Sequence, residues 1–297
     1  MQVVIIRNPY SRLAAQKGQI ERLQAEFKKK KIECRLISSQ GFLAWIENGV
    51  AYSSLQNVAI IYLDKDKYLV SLLNKLGFRI FNPAEAIITC DDKMLTHIAL
   101  SNQGIQMPKT IPGLLCYTKG AKLREEYLET LVKELGLPFV IKESYGSLGK
   151  QVYLVENKEE ARKVLNKVKY VPHLCQELVK SSYGKDIRVI VIGGKAFAWM
   201  KRQSSTDFRS NIGLGGVGYA IQLPKAYKEV SERVASLLKL DYCGIDLLIG
   251  KDGKPLVCEV NSNAFFNEIE RITKKNVART YVEYIIKEMT RMGAYDD

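Results

Sequence analysis

The run Val58–Leu63 is apolar at every position, and it constrains the fold more than any other segment of the chain. A strand without a polar face must be covered on both sides, which is typical of a central strand in a parallel sheet. The other elements predicted in this region are strands at 3–6, 34–37 and 79–81 and helices at 18–31, 42–46 and 67–76. The order βαβαβαβ predicts a small α/β unit at residues 1–88, with a parallel sheet and flanking helices.

The pattern changes after residue 88, where strands follow one another with short turns between them. Predicted helices lie at 91–103, 125–135, 158–168, 225–238 and 277–292, and predicted strands lie at 139–142, 151–155, 174–178, 188–192, 196–202, 242–249 and 255–260. We therefore expect a central α+β unit at 89–178 and a C-terminal unit with an antiparallel sheet at 179–297. Both boundaries are expectations, since no low-complexity linker marks them.

The charge balance favours anionic partners. Lys and Arg total 45 against 32 Asp and Glu, which gives a formal net charge of +13. Nucleotide phosphates, acidic substrates, acidic peptides and nucleic acid would all suit such a surface. The basic residues are spread along the chain, and the one dense run, at 28–31, ends a predicted helix, where cations interact favourably with the helix dipole. Nucleic acid is therefore the less favoured partner.

Cysteine, histidine and hydropathy patterns exclude several classes of protein. The six cysteines stand singly, without zinc-site spacing, and suit buried thiols in a reducing cytoplasm. Only two histidines are present, His97 and His173, so a His-based triad or a multi-His metal centre is hard to build. No apolar stretch approaches the roughly 20 residues that cross a bilayer. Residues 1–7 lack a basic leader and predict a first strand, so we expect a cytoplasmic protein without a membrane segment.

A lysine followed by a glycine turn forms the first candidate site. Lys142 ends a predicted strand, and Gly146 and Gly149 lie in the turn after it. Small residues in such a turn let backbone N–H groups approach phosphate oxygens. The segment lacks the GxxxxGK[ST] pattern, so it is not a P-loop. Taken alone, the pattern is more typical of a plain hairpin with a solvated lysine.

Three oxygen-bearing side chains form the second candidate site. Asp246 lies in one apolar strand, and Glu259 and Asn261 lie two positions apart in the next, so they share a face. The glycine-rich turn at 250–254 predicts an antiparallel pair that brings Asp246 opposite this face. Charges within apolar runs are costly to bury unless paired or metal-bound. The set therefore predicts a Mg²⁺ site more than an exposed polar sheet.

Several arginines form the third candidate site. Asp186 precedes a strand that contains Arg188, and Arg202 ends the neighbouring strand. Arg209 and Asn211 lie in a polar loop before the glycine-rich segment 213–218. Guanidinium groups beside a flexible loop suit bidentate recognition of phosphate and carboxylate oxygens. Any one of them would also be unremarkable as a surface arginine, but the set favours a binding site.

From Asp91 onward the chain resembles the ATP-grasp ligases, and most closely the RimK-like subgroup typified by the enzyme that adds glutamates to ribosomal protein S6. The resemblance rests on the segment 207–211, Asp-Phe-Arg-Ser-Asn, on the Gly-Lys-Asp-Ile-Arg run at 184–188, and on Glu-Val-Asn at 259–261 after a Gly-Ile-Asp strand. It implies an ATP-grasp fold with an N-terminal Rossmann-like parallel-sheet domain, a small central α+β lid domain and a C-terminal antiparallel-sheet domain.

The resemblance also implies roles for the matching residues. The residues expected to bind ATP are Lys93 and Lys142 at the phosphates, Gly146 and Gly149 in the turn, Gln176, Glu177, Leu178 and Val179 at the adenine hinge, Asp186 at the ribose, and Arg209, Ser210 and Asn211 on the phosphate and substrate side. Asp246, Glu259 and Asn261 would hold two Mg²⁺ or Mn²⁺ ions. Arg202 and Arg209 are the expected catalytic residues, with Arg202 stabilising charge on an acyl phosphate and on the tetrahedral intermediate.

The implied activity is an ATP-dependent carboxylate–amine ligase that works through an acyl phosphate. The expected substrate is an acidic small molecule or peptide with an amine donor or acceptor, for example glutamate added to a peptide, protein or small acidic acceptor. The family's Ser-Pro-Gly-like turn after the metal-binding Asn is absent at 262–267, which leaves the joined substrates open. A non-catalytic nucleotide- or nucleic-acid-binding module and an ATP-grasp phosphotransferase remain alternatives. The sequence does not determine the oligomeric state, and a homo-oligomer is one of the open alternatives.

Overall fold

The computed structural model describes residues 2–293. Its strands are β1 Gln2–Arg7, β2 Cys34–Ser38, β3 Ala44–Glu47, β4 Val50–Ser53, β5 Val58–Leu63, β6 Ile80–Phe81, β7 Thr110–Pro112, β8 Phe139–Glu143, β9 Val152–Val155, β10 His173–Glu177, β11 Lys185–Ile192, β12 Lys195–Gln203, β13 Val217–Tyr219, β14 Tyr242–Ile249 and β15 Pro255–Asn261. The helices are α1 Ala14–Lys29, α2 Lys67–Lys75, α3 Ala84–Asp91, α4 Lys93–Leu100, α5 Glu125–Leu135, α6 Lys158–Val168, α7 Lys225–Leu237, α8 Asn267–Thr273 and α9 Val277–Arg291. None of these helices is long and apolar enough to cross a bilayer.

The N-terminal sheet is parallel throughout, in the order β2-β1-β5-β6. Every residue of β5 is buried, which confirms the prediction from its apolar run. Helix α1 packs on one face of the sheet and α2 on the other. From β1 the chain runs to β2 on one side and later to β5 on the other side. The carboxyl ends of β1 and β5 therefore lie at a topological switch point, where open α/β sheets bind ligands.

The short helix predicted at 42–46 is wrong, because this segment forms an antiparallel hairpin of β3 and β4. A two-residue turn, Asn48-Gly49, joins the strands with φ angles of +50° and +78°. Asn-Gly adopts this left-handed conformation readily and closes hairpins whose twist matches the strands. The rings of Trp45 and Tyr52 stack across the hairpin at 5.4 Å. The Asn-Gly pair was the sequence signal, and it outweighs the apolar spacing around Phe42.

The central sheet has the order β7-β10-β8-β9 and is antiparallel. Helices α5 and α6 cover one face and have the bounds that apolar spacing predicted. Their buried residues Leu128, Leu131 and Leu165 pack on Phe139 and Ile141 of β8. The other face of β8 and β10 is therefore left to line a cleft.

The largest sheet is antiparallel, in the order β13-β12-β11-β14-β15. One face packs on α7 and on the stretch from α3 to Ile105. The other face shares a core with α1, α8, α9 and the N-terminal sheet. The mixed parallel and antiparallel sheets confirm the predicted α/β class. The domain boundaries near residues 88 and 178 stay a prediction.

The helix predicted at 91–103 corresponds to α4, Lys93–Leu100, whereas helix α3, Ala84–Asp91, is not among the predicted elements. The two helices meet at Asp92. Asp92 has extended backbone angles, and its carboxylate accepts hydrogen bonds from the backbone N–H groups of Met94 and Leu95. A side chain that caps a new helix in this way ends the previous one. The break places Lys93 at the first position of α4, beside the central sheet.

Candidate active site

Two adjoining cavities lie where the N-terminal, central and largest sheets meet. We call the first the cleft; it lies between the central sheet and the largest sheet. We call the second the edge cavity; it has a volume of about 250 Å³ and lies between the carboxyl edge of the N-terminal sheet and the end of β15. Ser147, Asn211 and Glu259 line both. A molecule bound in the cleft would therefore meet one bound in the edge cavity near Glu259.

The residues singled out from the sequence gather around these two cavities. Those that line the cleft are Lys93, Lys142, Gly146, Gly149, Gln176, Glu177, Leu178, Val179, Asp186, Arg202, Arg209, Ser210, Asn211, Asp246 and Glu259. Asn261 lines the edge cavity instead. Segments separated by more than half of the chain thus face a common space, which local patterns alone do not determine.

Lys142 enters the cleft from β8 and is held by a buried polar network. Its Nζ donates to Oε1 of Gln176 at 2.7 Å and lies 3.5 Å from Sγ of Cys258. Nε2 of Gln176 donates to Oγ1 of Thr110 at 2.7 Å and lies 3.3 Å from Nε2 of His97. Burial, with a smaller effect of Lys142, lowers the pKa of His97 to about 4, so this ring is neutral and accepts a hydrogen bond. The network keeps the ammonium group aimed into the cleft.

Two cations hold the glycine turn that covers the cleft. Nζ of Lys93 donates to the carbonyl of Gly146 at 3.2 Å, and its backbone N–H donates to Ser144. Nη1 of Arg209 donates to the carbonyl of Gly149 at 2.5 Å. Burial lowers the pKa of Lys93, and Glu259, with its carboxylate at 3.8 Å, opposes this shift. Arg209 is also bound to Asp207 through Nε and Nη2, so the turn is tied to the loop at 207–211 as well as to Lys93.

An arginine–carboxylate cluster lies beneath the cleft on β11, β12 and β14. Arg202 is 3% exposed and donates through Nε to Asp186 at 2.8 Å and through Nη2 to Asp246 at 2.9 Å. Arg188 binds Asp246 with two bonds of 2.7 Å. Asp186, predicted to contact a ribose, is thus bound to Arg202 in this structure. Arg188 also lines the edge cavity, and sequence reasoning gave it no individual role.

The cluster makes stability depend on pH in the acid range. Burial alone would raise the pKa of Asp246, but Arg188 and Arg202 outweigh it and lower the pKa from 3.8 to about 2. A carboxyl group with a lowered pKa in the folded state stabilises the fold above its unfolded pKa. We expect the free energy of unfolding to fall by about 2 kcal/mol between about pH 4 and pH 2. Urea unfolding at several pH values in this range measures the fall in the free energy of unfolding. In Asp246→Asn the contribution of this carboxyl group to the pH dependence should be missing.

The donor set at β14 and β15 fits a magnesium ion. Asp246 pairs with Glu259 across the two strands, and Gly244 pairs with Asn261. The Glu259 side chain is 28% exposed and faces both cavities. Carboxylate and amide oxygens are the ligands that Mg²⁺ prefers, and it usually takes others from phosphate and water. Within residues 2–293 no three His, Cys, Asp or Glu side chains form a metal-binding group, and Asp246 is paired with Arg188 and Arg202. A magnesium ion here would therefore take most of its ligands from Glu259, Asn261, phosphate and water.

The segment 262–267, which departs from the expected turn, is held by amide side chains against helix α1 and the end of β6. Asn82 donates to the carbonyl of Ser262 at 2.9 Å, and Asn267 donates to that of Ala15 at 3.1 Å. Gln19 donates to the carbonyl of Ala264 at 3.3 Å. These contacts stabilise the wall of the edge cavity without Pro or Gly. Neither the contacts nor helix α8 were found by sequence reasoning.

Comparison with known proteins agrees with this geometry. The profile of the RimK-like ATP-grasp domain matches residues 90–285. N-acetylaspartylglutamate synthase A of Homo sapiens is 36% identical over 226 residues, which are 74% of this chain and 56% of that protein. A probable alpha-L-glutamate ligase of Psychromonas ingrahamii is 36% identical over 212 residues, 70% of this chain and 67% of that protein. The chain thus spans about half the length of the human synthase.

Solved structures show the same fold at low identity. D-alanine–D-alanine ligase from Bacillus anthracis, complexed with ATP, has a TM-score of 0.71 at 19% identity and covers 98% of both chains. The ATP-grasp ligase PsnB, complexed with a phosphomimetic variant of its minimal precursor, Mg and ADP, has a TM-score of 0.68 at 17% identity and covers 97% of this chain and 99% of PsnB. The predicted ATP-grasp fold is therefore confirmed.

Proposed function

This chain belongs to the RimK-like ATP-grasp family, and on that premise we propose that it is an ATP- and Mg²⁺-dependent ligase that joins a carboxylate to an amine. The observation that carries the proposal is the pair of adjoining cavities that meet at Glu259. The cleft offers lysines and a glycine turn for the nucleotide. The edge cavity offers space for the two molecules to be joined, next to the phosphate end of the cleft.

The proposed reaction has two balanced steps. The substrate carboxylate attacks the γ-phosphorus of ATP, ADP leaves, and an acyl phosphate forms. The uncharged amine then attacks the acyl carbon, the new C–N bond replaces the C–O bond to phosphate, and inorganic phosphate leaves with the proton that the nitrogen gives up. Lys142 and Lys93 offset charge on the transferring phosphoryl group, and Arg209 orders the glycine turn above it. No protein nucleophile is needed, so catalysis rests on positioning and electrostatics.

Asp246, Glu259 and Asn261 would hold the metal. We propose that they hold two ions, the number that the family resemblance implies. Bound Mg²⁺ supplies Lewis-acid neutralisation of phosphate charge. Arg202 is buried between two carboxylates, so we propose that it acts on the reaction by orienting Asp246 and not by touching the substrate.

We propose L-glutamate as the amine and an acidic molecule as the carboxylate substrate. The relatives are named N-acetylaspartylglutamate synthase, beta-citrylglutamate synthase and probable alpha-L-glutamate ligase, and each name contains glutamate. The net charge of +13 suits acidic substrates. The six cysteines are all free thiols, which suits the cytoplasmic location that we propose.

An ADP-release screen tests the proposal. ATP, Mg²⁺ and L-glutamate are combined in turn with N-acetyl-L-aspartate, citrate and glutamate-rich peptides, and products are examined by mass spectrometry. We expect ADP release that depends on one carboxylate, with a product whose mass equals both substrates less one water. A phosphorylated product that persists with amine present would indicate a phosphotransferase instead. Salt-sensitive oligonucleotide binding without turnover would indicate a regulatory module.

A further inference from the structure

Asp64 is a buried carboxylate that lines the edge cavity and has no role in the proposed chemistry so far. It follows β5 directly, is 7% exposed, and faces the cavity together with Asn8, which follows β1. The two residues therefore flank the switch point of the N-terminal sheet. Ligands of open α/β sheets bind at this place because the strand ends diverge there and leave a crevice.

The partners of Asp64 are all neutral. Nδ2 of Asn8 lies 3.2 Å from both carboxylate oxygens, and the backbone N–H of Lys65 donates to Oδ1 at 2.7 Å. Within residues 2–293 no Lys or Arg side-chain nitrogen lies within 4.0 Å of this carboxylate. Buried carboxylates are normally paired with a cation or a metal, because desolvation without a counter-charge is costly. Asp64 is therefore held in place by neutral donors, and the described residues supply no positive counter-charge for its carboxylate.

The other carboxylates of the edge cavity differ from Asp64 in this respect. Asp91 is paired with the ammonium group of Lys65, and Glu259 has Lys93 at 3.8 Å. The contrast within one cavity indicates that the missing partner of Asp64 is a cation that enters with the ligand.

We propose that Asp64 binds the ammonium group of the amine substrate and so selects an amino acid over a dicarboxylic acid. This inference rests on the proposed ligase function, in which the bound ammonium group must release one proton before its nitrogen attacks the acyl phosphate. A charge-assisted hydrogen bond between a carboxylate and an ammonium group is short and strong, and it is stronger still in a cavity shielded from water. Arg188 lines the same cavity from β11, but its Nε and Nη2 atoms bind Asp246, so Nη1 is the atom it could offer to a substrate carboxylate. Asn8 orients Asp64 by holding both of its oxygens.

The variant Asp64→Asn tests the proposal because it keeps the shape of the side chain and removes its charge. L-glutamate serves as the amine and N-acetyl-L-aspartate or citrate as the carboxylate. We expect the KM for L-glutamate to rise about 10- to 100-fold, the loss typical of a hydrogen bond to a charged group. Hydroxylamine, a small and mostly uncharged nucleophile at neutral pH, should still trap the activated carboxylate at a rate near that of wild type.

The matched control is Asp66→Asn, two residues away. The Asp66 carboxylate caps α2 by accepting from the N–H groups of Tyr68 and Leu69, and it lines neither cavity. Asn is an equally good cap, so this variant should behave as wild type. If Asp64→Asn leaves the KM for L-glutamate unchanged, or lowers the glutamate and hydroxylamine reactions equally along with Tm, Asp64 is structural and the proposal fails.

A binding measurement separates this inference from the ligase function. Glutarate has both carboxylates of glutamate but no ammonium group. Calorimetry on wild type should show tighter binding of L-glutamate than of glutarate, and this preference should disappear in Asp64→Asn. Equal binding of both by wild type would overturn the inference. Failure of the ligase function would show differently, as an absence of carboxylate-dependent ADP release with either nucleophile, and the binding comparison would still decide the role of Asp64.

Discussion

Replacing Glu259 by glutamine is expected to lower carboxylate-dependent ADP release about a thousandfold, since a metal ligand that neutralises phosphate charge is worth several kcal/mol. Glu259 lies where the cleft and the edge cavity meet, and its carboxylate is partly exposed to both. Glutamine keeps the length of the side chain and loses the charge. The substitution should therefore weaken metal binding and leave the packing of β15 unchanged.

Steady-state ADP release as a function of Mg²⁺ concentration measures this effect, and raised Mg²⁺ should restore part of the rate. The matched control is Glu268→Gln on α8, whose carboxylate pairs with Arg271 and lines neither cavity. Both variants should unfold at the wild-type temperature. A wild-type rate in Glu259→Gln would remove Glu259 from the metal site.

Replacing Arg202 by methionine is expected to lower the free energy of unfolding by about 3–5 kcal/mol, the usual cost of leaving a buried charge without its partner. Arg202 is enclosed between Asp186 and Asp246, and all three side chains are buried. Arg188 would still neutralise Asp246. Asp186 would be left without a cation, so the second substitution Asp186→Asn should restore part of the loss.

Denaturant unfolding followed by circular dichroism measures this difference. Arg162→Met is the control, because Arg162 makes the same two-bond contact with Glu125, at 2.8 and 2.9 Å, on the exposed surface. Water replaces the lost partner there, so this variant should unfold at nearly the wild-type midpoint. Equal midpoints for the two variants would mean that the Arg202 cluster does not carry the stability we assign to it.

Much of the fold was predictable because its signals are local. The run Val58–Leu63 shows by composition alone that both faces of the strand are covered, and helix α6 has both its apolar spacing and its capping Asn157 in sequence. The wrong prediction at 42–46 also has a local cause, because the Asn48-Gly49 turn that closes the hairpin is visible in the sequence. The start of α4 near Asp92 was predicted, whereas the short helix α3, which has no side-chain cap, was not.

Some features of the candidate site were also predictable from local sequence signals, and others were not. Asp246, Glu259 and Asn261 belong to two strands joined by a short turn, so their common face follows from alternation and antiparallel pairing, both visible in the sequence. The sequence alone therefore determined the strands, their faces and the oxygen donors at the end of β15.

Which carboxylates obtain a counter-charge was decided only by tertiary structure. Arg202 neutralises Asp186 and Asp246, whereas Asp64 is brought into the same cavity as Glu259 with neutral partners. The physical reason is that strand and helix signals act over a few residues, while electrostatic pairing depends on how separate sheets pack.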